Sequence, residues 1–246
     1  MEDNVFEEVN SLSSSEIIVT CEHGGSEIPA PYGSLGLSGA ELDTHIARDK
    51  GARETSKLLA KKLGCYAIIG KYSRLLVDLN RRASDDELIL ASSDKVEIAG
   101  NKNLSAAEKN LRLEKYYNPY YAALEKQIEH IKSLGKTPIL FSVHSFTPQL
   151  KDGAYRPWNA GILWHKPTKL AQFVSEELKK EKSKTVGENV PYDLRKCNTG
   201  AVIVCGEEKG LDYALIEVRD DEYDNLESGA EWWSGKLAEI LSRYAK

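Results

Sequence analysis

The sequence is short of several things, and each shortage removes a class of function. No run approaches the ~20 consecutive apolar residues that a membrane span needs, so a spanning helix is not expected. Basic residues are not in excess: 33 Lys and Arg stand against 38 Asp and Glu, a net charge of −5, which argues against a broad nucleic-acid surface. The four cysteines, Cys21, Cys65, Cys197 and Cys205, show no CxxC or CxxxH spacing, so a zinc knuckle is not expected and reduced thiols are. The acidic stretch "MEDNVFEEVNSLSSSE" has no apolar core of the secretory type, and a cytoplasmic location is the expectation. No internal repeat or low-complexity linker divides the 246 residues.

What is present reads as alternating strands and helices. Residues 1–15 form a polar leader, expected to be loosely held, and 16–246 a single α/β domain. "EIIVT", "CYAIIG", "RLLVDL", "TPILFSVHS", "NAGILWH" and "YALIEVRDD" have the apolar, β-branched character of strands. Residues 38–64 read as one helix, N-capped at Ser38 with Glu41 three positions on, and ended by Gly64. Ile46, Leu59 and Leu63 would share its apolar face. Further helices are expected around "SAAEKNLRLEKYYNPYYAALEKQIEHIKSLG" (entered or interrupted near Pro119), "PTKLAQFVSEELKKEKS" and "ESGAEWWSGKLAEILSRYAK". Residues 83–103 read as polar and irregular, and "GAVIVCGEEKG" is ambiguous between strand and turn. A mixed sheet sandwiched by helices, in three layers, is the economical architecture.

Four of the apolar runs end in reactive side chains: Glu22-His23, then Asp78 with Asn80-Arg81, then His144-Ser145, and finally Glu217 alternating with Arg219. Open α/β sheets keep their chemistry at such strand ends. Two imidazoles suit Zn²⁺, and a catalytic zinc takes three protein ligands and leaves a position open. Asp49, read as early in the helix after the His23 loop, is the favoured third ligand; His45, four residues before it on the same helical face, and Glu27 are the alternatives. Glu22 is disfavoured, because neighbours in an extended strand point to opposite faces. Glu217, inside an apolar run, has the type and setting of a proton-transfer carboxylate. Arg74, Arg81 and Arg219 flank strand ends, where a guanidinium can grip a carboxylate or stabilise a developing oxyanion. The clusters "EWWS" and "YYNPYY" read as packing.

Taken in order, "CEHGGSEIP", "HIARDKGA", "YSRLLVDLNR", "SVHSFTP" and "IEVRDD" resemble the N-formylglutamate amidohydrolase family across residues 17–222, within the wider zinc-carboxypeptidase superfamily. The resemblance implies a zinc-exopeptidase or phosphorylase-hydrolase-like fold. It implies His23, Asp49 and His144 as ligands of Zn²⁺ or another divalent metal, and Glu217 as catalytic acid–base with Arg74 or Arg219 assisting. Asn80, Arg81 and Ser145 are implied to bind substrate. The chain departs from the superfamily's H-x-x-E motif, with Ser26 at the fourth position and Glu27 one residue later, and has "CEHGG" where better-known members have a "PHSG"-like motif. The expected activity is hydrolysis of the formyl or acyl amide of a small carboxylate-bearing molecule such as N-formylglutamate. A peptide or cell-wall-fragment amidase or carboxypeptidase, and a non-catalytic metal-binding sensor, are the alternative expectations. Partners beyond a small-molecule substrate are not implied, neither nucleic acid nor membrane, and the oligomeric state is left open.

Overall fold

The computed structural model describes residues 4–197 and 200–246. Its centre is a seven-stranded mixed sheet in the order β1-β3-β2-β6-β9-β7-β8. In chain order the strands are β1 (Phe6–Val9), β2 (Ile17–Cys21), β3 (Tyr66–Gly70), β4 (Ser92–Ser93), β5 (Val96–Glu97), β6 (Ile139–Phe146), β7 (Ala160–Leu163), β8 (Val186–Glu188) and β9 (Asp212–Arg219). Strands β4 and β5 form a separate small hairpin. The helices are α1 (Gly39–Leu42), α2 (Ala52–Leu63), α3 (Ala106–Arg112), α4 (Asn118–Ser133), α5 (Lys169–Leu178) and α6 (Leu226–Tyr244).

β3, β2, β6 and β9 run parallel, while β1 and β7 are antiparallel to β3 and β9. All eight residues of β6 are buried, as expected of a central strand covered on both faces. Alternation along the strands splits the core in two. Ile17, Val19, Phe141, Val143 and Ile216 pack with α2, α5 and α6; Ile18, Leu140, Tyr213 and Leu215 pack with α4 on the opposite face. The three-layer α/β reading is therefore what the chain adopts.

Three local readings need correction. Residues 6–9 are not a loose leader: they form the edge strand paired to β3, and Glu7 is held by Arg53 and Lys57. The Asn10 side chain donates to the carbonyls of Ala60 and Cys65, tying the segment to the end of α2. The helix expected over 38–64 is broken. The Ser38–Glu41 capping box exists, but α1 stops at Leu42, and α2 begins only after Gly51, whose left-handed φ of 79° marks the break. Ile46 therefore joins no helical face and packs with Leu35, Leu75 and Ile98 in a small third cluster. "RLLVDL" is buried but is not a strand; its backbone makes turn bonds, such as Leu76 N–H to Ser73 O at 2.9 Å. The place beside β3 that it would need is filled by β1. "GAVIVCG", left open between strand and turn, is a π-helical turn over Val202–Gly206; β6 and β7 already flank β9. Pro119 lies in the first turn of α4, following a π-turn that joins it to α3, so the helix is entered there as expected. Trp233 is fully buried, in keeping with a packing role for "EWWS".

Candidate active site

The carboxyl ends of β2, β6 and β9 lie side by side, and each delivers one polar residue to the same spot. His144 and Glu217 are register partners across β6 and β9, so their side chains leave the sheet on one face. His23 follows β2 in the loop that Gly24 and Gly25 make tight. A Cβ on Gly25 would fall on the carbonyl of Lys71, so only glycine lets the loop lie against the chain leaving β3.

Asp49 reaches the same point from the turn before α2, not from a helix. Its backbone N–H donates to the His23 carbonyl at 3.0 Å, pinning the two segments together. Its Oδ2 lies 2.8 Å from His144 Nδ1 and 3.5 Å from His23 Nδ1, and accepts the Ser145 N–H at 3.1 Å. The rings of His23 and His144 meet edge to face, centroids 4.8 Å apart. One donor atom from each of His23, Asp49 and His144 lies within 4.8 Å of the others, and all three residues are buried.

The alternatives to Asp49 lie elsewhere. Glu27 is on the surface side of the loop, facing Lys71 at 3.4 Å. His45 is 3.3 Å from Asp94, and the turn that breaks the expected helix removes the shared face with Asp49.

Each histidine has a carboxylate behind it. His144 Nε2 is 2.8 Å from Glu22 and His23 Nε2 is 2.6 Å from Asp78. Glu22 also accepts from Ser142 at 2.8 Å, and Asp78 from Arg74 at 2.9 Å and from the Asn80 N–H at 2.8 Å. The sequence reading weighed Glu22 only as a ligand and passed over this role. The signal was available in the pleat: Ile18, Thr20 and Glu22 share the face that carries Ser142 and His144. Such carboxylates fix the imidazole tautomer and raise its basicity towards a metal.

The electrostatics follow from burial and pairing. Burial works to raise the Asp49 carboxyl, but the neighbouring imidazoles outweigh it and hold it well below the usual range. Asp78 is held low in the same way, against its burial, by Arg74 and His23. Burial opposes charge on His144, yet its bonds to Asp49 and Glu22 hold its pKa well above that of free imidazole. Glu217 has no such support. Burial, assisted by the charge of Asp49 and opposed by His144, pushes it up to about 7.

The residues present fit a divalent metal. His23 Nδ1 is buried and makes no hydrogen bond, although it points at the Asp49 carboxylate. A buried nitrogen without a partner is costly unless something binds it. Two imidazoles and a carboxylate, each backed by a second polar group, form a donor set suited to zinc and compatible with other divalent ions.

A cleft of about 190 Å³ opens beside this cluster, lined by His23, Arg74, Asn80, Arg81, Ser145, Tyr192, Cys197 and Glu217 among others. Ser145 Oγ and Glu217 Oε2 are buried there without hydrogen-bond partners. Arg74 and Arg81 both face the cleft, each steadied by acids: Arg74 by Asp78 and by Asp49 at 3.7 Å, Arg81 by Glu87 at 2.9 Å. Asn80 Oδ1 accepts the Ala201 N–H at 3.1 Å. Arg219 is not brought into the lining. Its guanidinium binds Asp221 at 2.7 Å and the carbonyl of Arg156 at 3.1 Å. Tyr192, which the sequence reading did not single out, enters from the loop after β8.

Known proteins share this architecture. The chain is similar over 98% of its length to a gene product from Agrobacterium tumefaciens, with a TM-score of 0.90, 28% identity and 95% of that chain covered. N-formylglutamate amidohydrolase from Ralstonia eutropha superposes with a TM-score of 0.72 at 21% identity, covering 98% of this chain and 96% of that one, a likeness of fold. N-formylglutamate deformylase of Pseudomonas putida is 25% identical over 153 residues, 54% of this chain; the match spans 57% of that protein's own length. The family model of N-formylglutamate amidohydrolase matches residues 15–224, which take in every strand end of the site, and the chain therefore belongs to the N-formylglutamate amidohydrolase family.

Proposed function

We propose that this protein is a zinc-dependent amidohydrolase that cleaves the formyl or acyl amide of a small carboxylate-bearing molecule, N-formylglutamate being the first substrate to try. The observation that carries the reading is the buried, unpartnered His23 Nδ1 facing Asp49 and His144, with an equally unpartnered Glu217 oxygen beside it. His23, Asp49 and His144 would hold the metal, with Glu22 and Asp78 orienting the two imidazoles. Bound there, a zinc ion supplies positive charge that polarises the amide carbonyl and acidifies water.

The chain's own residues do the rest. Glu217, as carboxylate, takes a proton from the attacking water and returns it to the leaving amine nitrogen. In the metal-free protein burial raises its pKa to about 7, so the group takes up a proton more readily than an exposed carboxylate does. Arg74, fixed by Asp78, donates to the oxygen on which negative charge develops. Arg81 and Asn80, with the Ser145 hydroxyl, hold a substrate carboxylate and so present the amide to the cluster. Arg219 acts at one remove, steadying the segment that carries Arg156.

The size of the cleft supports a small substrate over a peptide. About 190 Å³ is below the ~300–1,000 Å³ of sites for drug-sized ligands. The test is substrate profiling of the zinc-loaded protein with N-formyl, N-acetyl and peptide amides. The reading predicts preference for a short N-acyl amino acid and loss of hydrolysis in Glu217→Gln. Efficient cleavage of peptides, or zinc binding with no hydrolysis of any amide, would favour the other two expectations.

A further inference from the structure

The lining of the cleft is of two kinds. The polar kind includes His23, Glu217, Arg74 and Arg81; the apolar kind is Leu163, Leu194, Leu215 and the Cys197 thiol. The reaction drawn above uses the first and leaves the second without a role. The sheet itself builds part of this apolar wall. Leu215 lies two residues before Glu217 on β9, so both side chains leave one face, about 7 Å apart along the strand. Leu163 of β7 is the register partner of Leu215.

The loop after β8 supplies the rest. Leu194 opens a short turn, Leu194–Lys196, in which the Asp193 side chain accepts the Arg195 N–H at 3.2 Å. The Cys197 N–H closes it on the Leu194 carbonyl at 3.0 Å. The three leucines belong to one core cluster, with Cys197 packed against it, so part of the cleft opens onto the core that α4 covers. The charges of the lining are already committed. Among the described residues two guanidiniums and no lysine line the cleft. Arg74 lies between Asp78 at 2.9 Å and Asp49 at 3.7 Å, which leaves Arg81 for one substrate carboxylate. A further carboxylate pushed onto the leucines would meet no cation, and a buried charge without a partner is costly. An aliphatic group there gains by leaving water.

We infer that Leu163, Leu194, Leu215 and Cys197 form the subsite for the substrate's side chain, and that this protein prefers N-acyl amino acids with a short aliphatic side chain and a single carboxylate over N-formylglutamate. The cleft volume of about 190 Å³ limits that side chain to a few carbons. The inference rests on the amidohydrolase reading for the bond that is cleaved and goes beyond it in naming the side chain.

Turnover of the N-formyl derivatives of glycine, alanine, norvaline and glutamate by the zinc-loaded protein reads the subsite. The norvaline and glutamate side chains are alike in length and differ at the end, a methyl against a carboxylate. From glycine to norvaline kcat/KM is expected to rise about 3–4-fold for each added carbon. From norvaline to glutamate it is expected to fall by about 10-fold or more. Leu194→Ala, at the edge of the core, should lower the norvaline-to-glycine ratio. Calorimetry with acetate, pentanoate and glutarate, which contain no amide, repeats the comparison without turnover, and pentanoate should bind most tightly. N-formylglutamate cleaved as well as N-formylnorvaline, or a flat series from glycine to norvaline, would overturn the subsite and leave the amidohydrolase reading in place. If no amide is hydrolysed but pentanoate still binds more tightly than glutarate, and less so in Leu194→Ala, the amidohydrolase reading fails and the subsite stands.

Discussion

In the proposed reaction Glu217 carries the proton transfer, and its burial makes it measurable in two ways. In metal-free protein its pKa is raised to about 7 by burial, and a divalent ion bound beside it lowers that value. The pH profile of kcat/KM in zinc-loaded protein should therefore show an acid limb governed by this group below pH 7, and Glu217→Gln should cut kcat by ~10²–10⁴ with zinc still bound. The same shift sets a stability relation in metal-free protein. The folded state holds the proton from about pH 4.5 to 7 while the unfolded chain has released it, so stability falls as pH rises through that window. Glu217→Gln removes the penalty. Denaturant titration should find the metal-free variant more stable than wild type at pH 8, by up to about 3 kcal/mol, and the difference should vanish near pH 4.5. A difference independent of pH would contradict this. Behind the ligands, Glu22→Gln and Asp78→Asn should each weaken zinc binding about 10–100-fold in chelator competition, because each imidazole loses the acceptor that orients it.

The elements that carry these residues differ in how plainly the sequence announced them. β6 and β9 were legible because both are long apolar runs that end abruptly in His144-Ser145 and Glu217, and buried parallel strands have that pattern. The pairing of His144 with Glu217 followed once the strands were neighbours. Asp49 was found for a partly mistaken reason. Residues 43–51 have helical composition, yet Gly51 breaks the helix, and it is the resulting turn that swings the carboxylate to the imidazoles. "RLLVDL" misled because burial, not sheet pairing, explains its apolar side chains. Tyr192, which lines the cleft, lies in a loop, where no periodicity marks a side chain of the site. Two glycines make the loop geometry testable. Gly25→Ala would force the His23 loop off the chain after β3, and Gly161→Ala would push the Val190 carbonyl and its loop outward. Each should cost ~1–3 kcal/mol in stability. Zinc titration and kinetics should separate them: Gly25→Ala weakens metal binding, whereas Gly161→Ala keeps the metal and raises KM.

At the scale of the whole molecule, three candidate ligands, from the ends of β2 and β6 and from the turn before α2, bring distant parts of the chain to one point. His23 and His144 are 121 positions apart in sequence, so a metal joining them favours the folded state over an unfolded chain that has no such site. With free zinc a thousandfold above its dissociation constant the gain is about 4 kcal/mol, which for a chain of this size should raise Tm by about 10 °C. Thermal unfolding with and without a strong chelator reads this shift. An unchanged Tm would mean that the fold takes no support from a metal. No helix among the described residues is long and apolar enough to cross a membrane.

The most direct test is an anomalous-difference map from crystals of the zinc-loaded protein, recorded on both sides of the zinc edge. The account predicts one strong peak within bonding distance of His23, Asp49 and His144, with Glu217 facing it across the cleft. A protein that takes up no zinc, or a peak held by other residues, would contradict it.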